Sequence, residues 1–200
     1  GPPRRSAVTR LVLIRHAATD WNLQHRIQGR TDVPLSDEGR VATAVWTVPS
    51  PYTDARVVAS PLGRAVETAR LLFGREPDVE PRLIEMNWGN WEGRTLAQLR
   101  QELGEAMTKN EARGLDFRPG EGETPREVLT RVTPWLAEVA RTGRTTVAVT
   151  HKGVIRTIAA AAHAWDMNGK PPVKIGMGEA YAFDLDDGGA PSAAGAALPL

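Results

Sequence analysis

The sequence predicts an α/β fold, a three-layer α/β/α domain whose central sheet is mostly parallel with one antiparallel edge strand. Short apolar runs alternate along the chain with longer segments whose apolar residues recur at helical spacing, and there is no internal repeat. Alternating strands and helices form parallel sheets that are covered by helices on both faces. We therefore expect one domain at residues 8–187, with a helical or lid insertion at 104–122 and a flexible C-terminal tail at 188–200.

The first half of the chain is expected to hold two strands, each followed by a helix. Apolar runs at 11–14 and 57–59 predict strands at 11–14 and 56–59, because short continuous apolar segments are typical of buried strands. Ser36 and Ser60 are expected to cap the two helices, with Gly74 ending the second. The buried face of the first helix is predicted from its helically spaced apolar residues, which are Val41, Ala44, Val45 and Val48.

The second half continues this alternation. Thr95 and Gln98 are spaced as a capping box and predict a helix before the lid at 104–122, which is polar, glycine-rich and expected to be mostly irregular. Thr124 starts a long helix in which Pro134 predicts a kink or a break. A buried strand, an alanine-rich helix and a final half-buried strand are predicted at 145–150, 153–163 and 181–185.

Composition and charge exclude several classes of protein. The 200 residues carry a formal net charge of +1 and contain no cysteine. The balanced charge argues against nucleic-acid and membrane partners, and the lack of cysteine excludes disulfides, thiolate metal sites and a cysteine nucleophile. The chain has no apolar run of membrane-spanning length, and the basic segment 1–6 lacks the apolar core of a signal peptide. We expect a cytoplasmic protein that is a monomer or homodimer.

Charged or titratable residues follow the predicted strands at four places: Arg15 with His16, then Arg64, Glu85 and His151. Because the carboxyl ends of parallel strands share one edge of the sheet, we expect these side chains to converge. Two arginines and two histidines suit a phosphoryl dianion, and a carboxylate beside them is useful where a proton must be moved. A neutral imidazole is a competent nucleophile, so this set of residues predicts phosphoryl transfer.

Six motifs that contain or adjoin these residues carry a resemblance to a known family. The RHG signature of the histidine phosphatase superfamily, in its phosphoglycerate mutase-like branch, resembles the run Leu13-Ile14-Arg15-His16-Ala17-Ala18-Thr19-Asp20-Trp21-Asn22. The similarity continues, in family order, at Gln28 to Ser36, Ser60 to Ala69, Glu85 to Gly93, Gly120 to Glu123 and Val149 to Arg156. The Trp-Glu-Gly block at 91–93 makes the chain most similar to the α-ribazole and broad-specificity phosphatases.

The resemblance implies a phosphomonoester phosphatase that acts on a small phosphorylated metabolite through a phosphohistidine. In that reaction His16 would attack phosphorus, and Glu85 would protonate the leaving oxygen and later deprotonate the attacking water. The phosphoryl oxygens would be held by Arg15, Arg64 and His151, with Asn22 and Thr19 as secondary residues of the phosphate pocket. The family uses no metal and no cofactor for this chemistry.

Three positions depart from the family pattern. Ala17 replaces the usual glycine of the signature, which would cost roughly 1 kcal/mol if the backbone there needs a positive φ. Ala18 replaces a frequent glutamate. Lys152 replaces a second glycine after His151, and as an additional cation in the substrate-binding site it leads us to hypothesise a more anionic substrate.

Other interpretations of the sequence stay open. A phosphoglycerate mutase would use the same residues, although the chain has no room for the longer insertions typical of cofactor-dependent mutases. A non-catalytic phosphoester-binding protein would explain the altered signature positions, but not a complete set of His16, Arg15, Arg64, Glu85 and His151. The shorter phosphohistidine-protein phosphatases typically lack the Trp-Glu-Gly block and the lid. The four histidines show no short ligand spacing, so no metal site is expected.

Overall fold

The computed structural model of the chain describes residues 7–200, so the basic segment 1–6 lies outside the described residues. In the described part the strands are β1 (Thr9–Arg15), β2 (Arg56–Ala59), β3 (Asp78–Val79), β4 (Thr146–Thr150), β5 (Glu179–Leu185), β6 (Pro191–Ala193) and β7 (Leu198–Pro199). The α-helices are α1 (Asp20–Leu23), α2 (Asp37–Val45), α3 (Gly63–Phe73), α4 (Leu96–Leu103), α5 (Glu105–Glu111), α6 (Pro125–Thr142) and α7 (Lys152–His163). Short 3-10 helices lie at Ser50–Tyr52, Pro81–Leu83, Gly89–Trp91 and Gly114–Asp116.

The central sheet has the strand order β3-β2-β4-β1-β5-β6, and β7 also pairs with β5. The pairs β3–β2, β2–β4 and β4–β1 are parallel, whereas β5 runs antiparallel to β1. Leu13 of β1 lies opposite Ala148 of β4 on one side and Tyr181 of β5 on the other. The mostly parallel sheet with an antiparallel edge is therefore confirmed, and the carboxyl ends of β1, β2 and β4 meet at one edge.

Two apolar cores fill the space between the sheet and its helices, one on each face. Leu13 belongs to a core that contains Trp135 of α6 and Ile155 of α7. Ile14 belongs to the other core, which contains Ala65 of α3. Successive side chains of β1 thus enter opposite cores, as in a strand buried on both faces. This confirms the three-layer architecture.

Local capping signals fix the start of several helices where the sequence predicts them. Ser36 Oγ accepts a hydrogen bond from the amide of Gly39 at 3.0 Å and begins α2. Capping boxes begin α4 at Thr95 and α6 at Thr124. Gly74, in the left-handed conformation, ends α3. These signals depend on a few neighbouring residues, so they can be recognised without the tertiary structure.

The buried face of α2 differs from the prediction. Val41 and Val45 are 70% and 78% exposed, and the buried residues of this helix are Gly39 and Thr43. A Cβ atom on Gly39 would lie 2.2 Å from the carbonyl oxygen of Ala18, so the helix packs through its glycine against the loop that follows β1. Because this contact needs a missing side chain, the spacing of apolar residues does not reveal it.

Four further predictions about local structure are wrong, the one at Pro134 in one of its two alternatives. The N-cap of α3 is Leu62 and not Ser60, because the helix begins only at Gly63; Ser60 Oγ accepts from the amide of Leu62 at 3.3 Å and lies 2.7 Å from His151 Nε2. The lid begins with helix α5 and is not mostly irregular. Of the two alternatives at Pro134, the break does not occur, because α6 continues through this residue with buried side chains on both sides of it. The segment 188–200 is not a loose tail, because β6 and β7 both pair with β5.

No helix within residues 7–200 is long and apolar enough to cross a membrane.

Candidate active site

A cleft of about 430 Å³ opens where the carboxyl ends of β1, β2 and β4 meet. Six of the predicted site residues line it: Arg15, His16, Asn22, Arg64, Glu85 and Lys152. The other two, Thr19 and His151, have no exposed surface and lie behind its wall. The fold therefore brings together the residues that follow the strands.

His16 follows β1 directly and is 3% exposed. Its Nδ1 atom lies 2.7 Å from the carbonyl oxygen of Ala17, and since a carbonyl oxygen can only accept, Nδ1 carries the proton. The Nε2 atom consequently keeps its lone pair. Burial, together with the positive charges of Arg64 and Arg15, lowers the pKa of His16 to about 3. His16 is thus a neutral imidazole with an available nucleophilic nitrogen at neutral pH.

His151, the N-cap residue of α7, is fully buried against His16, and the centroids of the two rings are 5.2 Å apart. Its Nε2 atom lies 2.7 Å from Ser60 Oγ. Burial is the main cause that lowers the pKa of His151 well below its ordinary value, and the neighbouring His16 and Arg64 lower it further. The ring of His151 is therefore also neutral. We assign the Ser60 hydroxyl as the donor to Nε2, because Ser60 Oγ already accepts from the amide of Leu62 at 3.3 Å, and the ring proton of His151 is then on Nδ1.

Arg64 lies in the first turn of α3 and is 1% exposed. It donates from Nη1 to the carbonyl oxygen of Thr31 at 2.7 Å and from Nη2 to that of Gly29 at 2.6 Å. Arg15 is the last residue of β1. Burial lowers the pKa of both guanidinium groups, although the Glu85 carboxylate opposes this shift. Both groups stay charged, because an arginine is not deprotonated in proteins.

Three buried donors around His16 have no partner. Within residues 7–200, the buried side-chain nitrogen and oxygen atoms that lack a hydrogen bond are Arg15 Nε, Arg64 Nε and His151 Nδ1. An unpaired buried donor costs about 1–3 kcal/mol, so unpaired donors are uncommon in a folded protein. Their concentration at one place indicates a site for a ligand that offers several acceptor oxygens.

Glu85, which follows the 3-10 helix at 81–83, is 9% exposed. Its Oε1 atom accepts a hydrogen bond from the amide of Met86 at 2.7 Å, and Oε2 accepts one from the amide of Gly153 at 3.2 Å. Burial raises the pKa of Glu85 despite these two amides and the nearby Arg64 and Arg15. A carboxyl group with a raised pKa can give and take a proton near neutral pH.

Thr19 has a structural position and does not line the cleft, in contrast to the secondary phosphate-pocket role that the resemblance implies. It is the N-cap of α1, and its Oγ1 atom accepts a hydrogen bond from the amide of Asn22 at 3.2 Å. Its hydroxyl lies 2.7 Å from Gln28 Oε1. Asn22 Oδ1 accepts from the amide of Thr19, so the capping box holds Asn22 at the wall of the cleft.

Ala17, which replaces the usual glycine of the signature, does not have a positive φ. The roughly 1 kcal/mol that alanine would cost at a positive φ therefore does not apply at this position.

Two residues of the site were not singled out from the sequence. Glu92, within the Trp-Glu-Gly block, accepts hydrogen bonds from the amides of Arg30, Thr31 and Trp88 at 3.1, 3.0 and 3.0 Å. It thereby fixes the loop whose carbonyl groups hold Arg64. Arg156 of α7 lines the cleft four residues after Lys152, and this spacing was the signal that could have identified it.

Trp88 and His25 line the cleft, whereas His163 does not. Trp88 lines the cleft and also packs edge-on against Phe117, with ring centroids 5.5 Å apart. His25 lines the cleft with a positive φ of 57°, whereas His163 lies in a separate cavity. No group of three or more His, Cys, Asp or Glu side chains in the described part of the chain could hold a metal ion.

Comparison with known proteins gives a consistent set of relatives. A family model described as the histidine phosphatase superfamily (branch 1) matches residues 11–194. The glucosyl-3-phosphoglycerate phosphatase of Mycobacterium tuberculosis is 34% identical over 167 residues, which cover 76% of this chain and 74% of that protein. The 2,3-bisphosphoglycerate-dependent phosphoglycerate mutase 2 of Gloeobacter violaceus is 30% identical over 163 residues, covering 74% of this chain and 73% of the mutase.

The similarity extends to solved structures. A mycobacterial glucosyl-3-phosphoglycerate phosphatase in complex with VO3 superposes with a TM-score of 0.75 and 29% sequence identity. The superposition covers 88% of this chain and 92% of that one.

Proposed function

The chain belongs to the histidine phosphatase superfamily, and from this premise we propose that it is a phosphatase that hydrolyses small phosphomonoesters through a phosphohistidine at His16. The observation that carries the proposal is a neutral, buried His16 with a free Nε2 atom, surrounded by three unpaired donors. A nucleophile among donors for an oxyanion is the arrangement that phosphoryl transfer requires.

In the first step the lone pair of His16 Nε2 attacks phosphorus, and the bond between phosphorus and the ester oxygen breaks. The guanidinium groups of Arg15 and Arg64 neutralise the phosphoryl oxygens, and the unpaired Nδ1 of His151 supplies a further donor. The leaving oxygen takes a proton from Glu85, whose raised pKa keeps the acid form available. The products of this step are an alcohol and a phosphohistidine.

In the second step a water molecule attacks the phosphohistidine. The Glu85 carboxylate takes a proton from this water as its oxygen bonds to phosphorus, and the bond between phosphorus and Nε2 breaks. Inorganic phosphate leaves, His16 regains its lone pair, and Glu85 regains its proton. One group therefore acts as acid and then as base, which a pKa close to the working pH favours.

The substrate is proposed to be a small phosphorylated metabolite, with phosphoglycerate derivatives as the first candidates because two relatives are named for them. α-Ribazole phosphate is included as a second candidate, since the sequence motifs favour that branch. A mutase would return an isomerised phosphoester, whereas a phosphatase releases inorganic phosphate. Product analysis with phosphoglycerates separates the two activities.

The proposal is tested by incubating the protein with para-nitrophenyl phosphate in the presence of EDTA, beside the variant His16→Ala. We expect release of inorganic phosphate by the wild-type protein and none by the variant. Turnover that is equal in both proteins would exclude His16 as the nucleophile. Binding of phosphate without turnover of para-nitrophenyl phosphate, phosphoglycerates or α-ribazole phosphate would favour the non-catalytic phosphoester-binding protein instead.

A cytoplasmic location, a monomeric or homodimeric state, and the lack of nucleic-acid and membrane partners remain part of the proposal. Cell fractionation and light scattering of the purified protein would test the first two.

A further inference from the structure

We propose that Lys152 and Arg156 form a second anion-binding subsite, next to the phosphoryl pocket, that binds a carboxylate on the leaving group of the substrate. The inference rests on the proposed phosphatase function and narrows its substrates to phosphomonoesters that carry a further acidic group. It assigns a specific task to the cation that replaces a glycine after His151.

The two side chains are neighbours on one face of α7. Lys152 is the first residue of the helix and Arg156 follows four positions later, the spacing at which helical side chains lie side by side. Both line the cleft that also contains His16 and Glu85. A substrate held by the phosphoryl pocket is therefore within reach of both cations.

Neither cation has an acidic partner that forms a hydrogen bond with it in the described part of the chain. Partial burial lowers the pKa of Lys152, as do the nearby cations Arg15, Arg156 and Lys174. Burial also lowers the pKa of Arg156, whose guanidinium lies over the ring of Trp165 at 5.5 Å from the ring centroid. Arg156 is partly withdrawn from water, and Glu85, the carboxyl group that opposes both shifts, forms no hydrogen bond with either cation. A bound anion that forms such hydrogen bonds would therefore stabilise both charges.

The charge balance of the cleft leads to the same conclusion. A phosphoryl dianion neutralises two positive charges, those of Arg15 and Arg64, which adjoin His16. Glu85 is the carboxyl group that acts electrostatically on both of these arginines and also on Lys152 and Arg156, so one carboxyl group is shared among four cations. Together, a phosphoryl dianion and the single Glu85 carboxylate do not balance these four cations, so positive charge remains at Lys152 and Arg156 for a further acidic group.

The position of the two cations assigns them to the leaving group. Glu85, the proton donor to the leaving oxygen, accepts a hydrogen bond from the amide of Gly153, which directly follows Lys152. Arg156, Gly153 and Trp88 line both the cleft and an adjoining cavity of about 260 Å³ beneath the lid. A leaving group that extends from Glu85 into this cavity must pass Arg156.

The experiment compares two substrates that differ at one group, 3-phosphoglycerate and glycerol 3-phosphate. We expect wild-type kcat/KM to favour the carboxylate by about ten-fold or more, the effect of one charge-assisted hydrogen bond. In the double variant Lys152→Gln/Arg156→Gln, the ratio of kcat/KM for 3-phosphoglycerate to kcat/KM for glycerol 3-phosphate should fall to near one. The control Arg26→Gln removes one positive charge from the same cleft and is expected to change both substrates alike. The ratio also cancels losses due to altered folding.

Equilibrium binding of both compounds to His16→Ala keeps the test independent of turnover. We expect tighter binding of 3-phosphoglycerate, and loss of that preference when the two glutamines are added. Equal affinities in His16→Ala, or a preference that survives in the triple variant, would overturn the subsite. Failure of the phosphatase proposal can be distinguished from failure of the subsite. If only the phosphatase proposal failed, the wild-type protein would release no phosphate from any ester, but the binding preference for 3-phosphoglycerate would persist.

Discussion

The substitution Gly153→Ala tests whether the position of Glu85 controls catalysis. A Cβ atom at this position would lie 2.3 Å from Glu85 Oε1, whereas real Cβ contacts essentially never fall under 3.0 Å. The carboxyl group must therefore move by about 1 Å, and a displacement of that size at a reacting group can cost about 100-fold in rate. We expect a corresponding fall in kcat/KM for glycerol 3-phosphate, whose alkoxide leaving group needs the proton.

The leaving group separates this effect from a general loss of structure. Para-nitrophenolate leaves readily without a proton, so kcat/KM for para-nitrophenyl phosphate should fall much less in Gly153→Ala. Gly188→Ala is the matched control, because that residue is exposed and its added Cβ would come no closer than 3.5 Å to a neighbour, Asp186 Oδ1. Equal losses for the two esters, or no loss for either, would refute the assignment of Glu85 as proton donor.

Three further predictions concern the residues that support the site. The pKa of His16 is about 3 in the folded protein against an ordinary 6.5, so between these pH values the unfolded chain binds more protons and the folded state loses stability as the pH falls. The variant His16→Gln should therefore lose less Tm than the wild-type protein between pH 7 and pH 4. Identical dependence of Tm on pH in the two proteins would contradict this. Thr19→Val removes the cap of α1 and should lower the free energy of unfolding in urea by about 1 kcal/mol and raise KM. Thr19→Ser keeps the capping hydroxyl and should keep the wild-type stability and KM. Glu92→Gln loosens the loop that holds Arg64 and should weaken binding of inorganic phosphate by calorimetry; unchanged affinity would exclude this positioning role.

The parts of the fold that could be predicted depend on local sequence. The capping boxes at Thr95 and Thr124 and the buried strand runs each involve a few adjacent residues. The position of the site followed from the same information, because a residue directly after a parallel strand must lie at the carboxyl edge of the sheet. Arg15 and His16 at the end of β1, and His151 directly after β4, were located by this reasoning, whereas Glu85 follows a 3-10 helix.

The parts that could not be predicted depend on contacts between distant segments. Gly39 packs against the carbonyl of Ala18, so α2 exposes the valines that its spacing would bury. Ser60 binds His151, ninety-one positions away, and also accepts from the amide of Leu62, while α3 begins only at Gly63 with Leu62 as its N-cap. Strands β6 and β7 arise because the outer edge of β5 offers unpaired backbone groups, which composition does not reveal.

The most direct test of the account is to trap the covalent intermediate. The protein is mixed with a ³²P-labelled phosphomonoester, quenched in alkali within milliseconds to seconds, and mapped by mass spectrometry. The account predicts an alkali-stable, acid-labile phosphoryl group on Nε2 of His16, and no labelled protein in His16→Ala. Label on another residue, or steady hydrolysis by His16→Ala at the wild-type rate, would contradict it.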